Sequence, residues 1–240
     1  RERAYSAIGS QLAYQNPDLA IEYIDQLAGQ PRHDLINTIA SSYAQKDVGE
    51  AVTWITQFEG EPLYAGLVGS IAQSVAAEDP RAALQLTESI PASGDKTSAI
   101  SSIMYTWADT DPAAAADYTE RMSDPAVKLA AVESIVGSWA GYDAVATREW
   151  VSQLQPNEVR DQGLLTLITN AAHSPADYLS LIGEIRAETM KADALQQAMQ
   201  NLAFRDREAA RSLLEKSGAS AAQKEALQCF LDDPNNFGGY

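Results

Sequence analysis

The sequence repeats itself every 31 or 32 residues, and this limits what it can fold into more than any other feature. "LAYQNPDLAIEYI" begins at Leu12, "YAQKDVGEAVTWI" at Tyr43, "VAAEDPRAALQLT" at Val75 and "WADTDPAAAADYT" at Trp107. "WAGYDAVATREWV" begins at Trp139, "AAHSPADYLSLI" at Ala171 and "LAFRDREAARSLL" at Leu202, so the spacings run 31, 32, 32, 32, 32 and 31. A unit this short cannot bury an apolar face alone, so stacking on its neighbours has to supply the core. One column is alanine in all seven repeats: Ala13, Ala44, Ala76, Ala108, Ala140, Ala172 and Ala203.

Three residues later, or two where the turn is one residue shorter, stands Asn16, Asp47, Asp79, Asp111, Asp143, Ser174 or Asp206. Such side chains at an N-cap accept a hydrogen bond from an orphan N–H of the first helical turn. Pro17, Pro80, Pro112 and Pro175 follow directly, where proline's missing N–H would have no partner anyway. Each motif therefore reads as a helix start, and its acid as a cap rather than a ligand. Before it lies a helix A with a core column of Ile8, Ile39, Ile71, Ile103, Ile135, Leu167 and Ala198. A second column follows four residues on, at Leu12, Tyr43, Val75, Trp107, Trp139, Ala171 and Leu202. After it lies a helix B with Tyr23, Trp54, Leu86, Tyr118, Trp150, Leu181 and Leu213 in one column, then Leu27, Phe58, Ile90, Met122, Leu154 and Ile185. All four tryptophans fall on these columns, which makes them core residues rather than a cofactor or sugar platform. Trp107→Ala and Trp139→Ala are each expected to cost ~3–5 kcal/mol.

The expected fold is all-α: a right-handed α-α superhelix, or solenoid, of about seven helix-turn-helix repeats plus a C-terminal capping helix. The repeats lie near 2–33, 34–64, 65–96, 97–128, 129–160, 161–191 and 192–219, all within one domain, 1–231. The cap helix spans 220–231 and starts on a capping box, Ser220 with Gln223. The turn-rich end, 232–240, reads as a loose tail. This pattern resembles the α-solenoid families of tetratricopeptide and HEAT type over nearly the whole chain. It departs from the tetratricopeptide pattern in its shorter period and in lacking the W-x-x-L-G-x-x-Y start. The W-A-x-x-D-P-x-A-A pattern is also similar to that of uncharacterised bacterial repeat proteins. The resemblance implies a scaffold or adaptor for another protein, without catalytic residues or cofactors.

Composition narrows the function further. Acidic residues number 33 against 17 basic ones, a net charge of −16, which repels nucleic acid and anionic lipid headgroups. The single cysteine, Cys229, allows no internal disulfide and reads as a small apolar filler of the last helix. His33 and His173 lie many hairpins apart, and no G-x-S-x-G, H-E-x-x-H or glycine-rich phosphate loop occurs. Asp232 and Asp233 form an acidic pair that reads as helix-end punctuation. The expectation is no enzyme, no metal and no cofactor. The alternative is a glycan-directed protein, either lectin-like or an α/α-type lyase or hydrolase. The acidity, the few lysines and a chain that starts at Arg1 fit a processed periplasmic or secreted bacterial protein, with the cytoplasm as the alternative. The oligomeric state is left open by the sequence.

Two surface patterns remain. Basic residues recur near the start of each later helix A, at His33, Lys96, Lys128, Arg160, Lys191 and Lys224, with Tyr64 in the gap. They read as partners for acids of neighbouring repeats, with a ridge for acidic tails as the other reading. The helix A positions turned from the core are small and neutral: Ser42, Gln73, Ser74, Tyr105, Thr106 and Ser138 belong to this strip, and no charged residue does. Helix B instead carries Asp18, Glu22, Asp117, Glu120, Arg148 and Glu149 on its outer face, as a solvated wall does. A protein or peptide segment is therefore expected along the helix A face, the concave side of the superhelix, at those six residues. The competing reading is that the strip is small only to let successive A helices pack closely.

Overall fold

The computed structural model describes residues 2–91, 94–170 and 174–232, and among them every regular element is helical. The helices are α1 (Glu2–Gln15), α2 (Pro17–Ile21), α3 (Gly29–Lys46), α4 (Val48–Ile55), α5 (Tyr64–Val75), α6 (Pro80–Leu86) and α7 (Gly94–Thr110). They continue with α8 (Pro112–Thr119), α9 (Pro125–Trp139), α10 (Ala144–Gln153), α11 (Glu158–Asn170), α12 (Pro175–Glu184), α13 (Glu188–Ala203), α14 (Arg207–Lys216) and α15 (Ala221–Asp232). Short 3₁₀ turns at Ile24–Gln26, Thr56–Phe58 and Thr87–Ser89 extend the first three B helices. No described helix is long and apolar enough to cross a membrane.

The seven caps explain where the B helices start. Asp47, Asp79, Asp111 and Asp143 accept at 2.9–3.0 Å from the N–H three residues on. Asn16, Ser174 and Asp206 cap in the same way, and Ser174 closes a full capping box with Asp177. Ser220 and Gln223 bond reciprocally at the start of α15. Two further caps, Asp124 and Asn157, begin helices of the A series. Gly60, at φ 89° in the link before α5, occupies the left-handed region that favours glycine.

The chain forms two compact units, Arg1–Thr110 and Asp111–Tyr240. The boundary falls inside the fourth repeat, between its A and B helices, whereas the sequence reads as one array. In the first unit α1, α3, α5 and α7 pack in succession, with α2, α4 and α6 against them. Its core holds Leu35, Ile39, Ile55, Leu67, Ile71 and Ile90. In the second unit α9, α11 and α13 succeed one another, flanked by α8, α10, α12 and α14, and α15 closes on α13 and α14. Its core holds Val132, Val151, Leu164, Leu167, Leu195 and Leu213. Neighbour-to-neighbour packing of helical hairpins is what the repeat requires.

The columns behave as a repeat demands, with instructive exceptions. Every described member of the alanine column is buried. In the isoleucine column Ile39, Ile71, Ile103 and Ile135 are 0–1% exposed, whereas Ile8 is 45% exposed. Trp107 is buried, with the Arg81 guanidinium over its ring at 5.8 Å. Trp54, Trp139 and Trp150 are half-buried, with Trp139 and Trp150 6.1 Å apart. Cys229 is exposed, which corrects its reading as a filler: it sits on the outer side of α15, while Leu231 points inward. Ala171, Ala172, His173, Asp233 and the remainder of the 232–240 tail beyond Asp232 lie outside the described residues.

Candidate interaction surface

Within each unit successive A helices pack side by side, so strip residues of one unit stand on neighbouring rungs. In the first unit Gln73 and Ser74 on α5 and Tyr105 on α7 are exposed, and Thr106 is half-buried. Tyr105 keeps 53% of its surface. Gln73 Nε2 donates to Thr106 Oγ1 at 2.9 Å, tying the two rungs together. Ser42, on α3, is buried, and Ser138, on α9 of the second unit, is buried too. Those two side chains lie beneath the surface rather than on it, and the Ser138 Oγ has no hydrogen-bond partner in the protein.

Several hydroxyls of this face donate to their own helices. Ser74 donates to the Ile71 carbonyl at 2.7 Å, Thr106 to Ser102 at 3.1 Å and Ser102 to Ser98 at 3.1 Å. Ser134 and Thr166 do the same on α9 and α11. Such bonds back to the preceding turn are a habit of helical Ser and Thr. A hydroxyl that donates in this way can still accept through its oxygen.

The basic column resolves residue by residue. Arg160 pairs with Glu184 of the next B helix at 3.0 Å, and Arg148 reaches the same carboxylate at 2.8 Å. Lys191 pairs with Glu188 within its own helix at 2.7 Å. Lys224 donates to the Glu215 carbonyl at 3.0 Å, near the end of the preceding B helix, where the helix dipole favours a cation. At the second repeat Arg32, rather than His33, carries the ion pair, gripping Glu61 with both guanidinium nitrogens at 2.8 and 3.2 Å. That bond, with the positive charge of Arg32 and His33, holds the Glu61 carboxyl below its usual range.

Asp161 is the polar residue that sequence reasoning passed over. It is 2% exposed and accepts the main-chain N–H groups of Arg186 at 3.2 Å and Ala187 at 3.0 Å. The Arg186 guanidinium in turn donates to the Pro156 carbonyl. Together with the Arg148–Glu184–Arg160 cluster, these bonds pin the α12–α13 link to α11. On neighbouring α9, burial pushes the Glu133 carboxyl up, against a hydrogen bond with Gln162 that lowers it. Of these groups, Arg148 lines an open groove beside Glu149 and Asp177. Among the described residues no three His, Cys, Asp or Glu side chains are grouped to hold a metal ion.

No family model matches the sequence, and neither a curated protein nor a solved structure gives a match.

Proposed function

We propose that this chain is a non-catalytic interaction scaffold that binds a protein or peptide segment along its helix A face. The observation that carries the reading is the charge-free stretch of exposed Gln73, Ser74 and Tyr105 with half-buried Thr106, in a chain of net charge −16. A neutral polar side chain that finds a hydrogen bond is buried at far less cost than an isolated charge. Hydroxyl oxygens that can still accept suit the N–H groups of an extended backbone, and the Tyr105 ring adds a large amphipathic contact. Ser42 and Ser138 act here as small spacers between rungs. The likeness to tetratricopeptide- and HEAT-type hairpin arrays supports the same reading.

The test is selection of binding peptides from a displayed library, followed by Tyr105→Ala with Ser74→Arg. Affinity should fall tenfold or more, on the order of 1.4 kcal/mol, with the helical circular dichroism unchanged. If binding survives that pair but is lost on Asp117→Lys with Glu120→Lys, the helix B face is the site. Binding to a glycan array instead of peptides would favour a glycan-directed protein.

A further inference from the structure

The first hairpin exposes Ile8, whose counterparts in later hairpins are covered, and beside it Leu19. In the second unit a groove of about 450 Å³ runs between α10 and α12. The later hairpin supplies Leu167, Asp177 and Leu181 to its wall, facing Ala144, Val145 and Arg148 of the earlier one. Counted back through the repeat, the positions of Leu167, Asp177 and Leu181 are Ile8, Leu19 and Tyr23. Within the first unit the same column gives Ile39, Ile71 and Ile103, each packed behind the preceding hairpin and at most 1% exposed. Ile8 and Leu19, by contrast, are 45% and 50% exposed. Leu19 is also more apolar than its counterparts, which are Glu50, Ala82, Ala114, Ala146, Asp177 and Ala209, so a large apolar side chain stands at this position only in the first hairpin.

Repeat arrays need a polar outer face at each end. The other end has one: α15 packs on α13 and α14 through Leu231, while Gln223 and Glu225 stay exposed. The face of α1 and α2 carries Ile8 and Leu19 where such a cap would be polar.

We infer that this face is the seat of a further helical hairpin of the same repeat, lying ahead of α1 in the same polypeptide. Its complement is specific. Where the isoleucine column is covered within a unit, its helix packs on the preceding hairpin, as α3 does on α1 and α5 on α3. Two copies of this chain meeting head to head would press like against like, which is a different, isologous contact. Head-to-tail stacking of copies is blocked, because α15 already occupies the trailing face of α14.

The test fuses a copy of residues 29–63 directly ahead of residue 1, which keeps the register because residues 1 and 64 hold the same repeat position. The added segment should fold, slow amide exchange in α1 and raise the thermal midpoint by about 3 °C or more. Ile8→Ser with Leu19→Ser should then lower the midpoint of the fused protein by several degrees, yet change the unfused chain by less than about 1 °C. Equal effects of the double substitution in both proteins, or no gain in helical signal on fusion, would overturn the inference. So would a concentration-dependent dimer of the unfused chain that the double substitution dissolves, because the occupant would then be a second copy.

Discussion

Tyr43 joins two repeats through a single side chain. Its ring belongs to the second core column of α3, is nearly buried and lies 5.5 Å from Trp54. Its hydroxyl donates to the Asp18 carboxylate on α2. Burial, then this bond and the nearby charges of Asp18 and Glu50, push the phenol from 10.0 up to about 12. The sign follows from linkage. Between those values the unfolded chain has released this proton and the folded one has kept it, so stability falls as pH rises through the window. Below pH 10 the group adds no pH dependence. Tyr43→Phe should remove this alkaline fall and cost about 1–2 kcal/mol at neutral pH, since a hydrogen bond to a carboxylate is lost. Phenolate absorbance should show one of the ten tyrosines titrating near 12 in the wild type and missing in the variant. An unchanged titration curve would show that Tyr43 is not the perturbed group.

At the scale of the helix, the local signals were legible and the links were not. A cap residue acts on the two or three residues after it, so Asp79 and Asp111 announce α6 and α8 without help from the rest of the fold. The 3₁₀ ends are less visible, because they answer to tertiary packing. Thr87 is buried there and its hydroxyl donates to the Leu84 carbonyl at 2.7 Å, as buried Thr119 does to Ala116 at the end of α8. Asp161 was hidden for a related reason: its partners are main-chain groups 25 and 26 residues away, and its column otherwise holds residues as unlike as Ala65 and Leu129. On the helix A strip, composition marked the neutral face but could not tell exposed Gln73 from buried Ser42. Column membership likewise does not fix burial, and the tryptophans test this. Trp107, buried in α7, should cost ~3–5 kcal/mol on truncation to alanine. Trp139, half-buried in the same column, should cost clearly less, although the sequence sets the two equal. Denaturant unfolding of both variants decides: equal costs would mean that the column, and not the observed exposure, governs the energetics.

For the chain as a whole, the repeat makes length negotiable and register not. Each hairpin is held by its neighbours, so stability is close to a sum of hairpin and interface contributions. Deleting residues 65–96 removes one full period, α5 and α6 with their link. Residue 97 then takes the place of residue 65, and the Ile39 rung meets Ile103 where it had met Ile71. The apolar columns stay aligned and the alanine column stays continuous. This shortened chain should keep its helical signal per residue. Its denaturant m-value should fall by about one seventh, because m follows the surface exposed on unfolding. Deleting only 65–80 removes half a period, which sets a B helix where an A helix belongs. Core columns then face polar ones, and the chain should lose cooperative unfolding. If the two deletions behave alike, the period is a trace of sequence history and does not govern how the protein holds together.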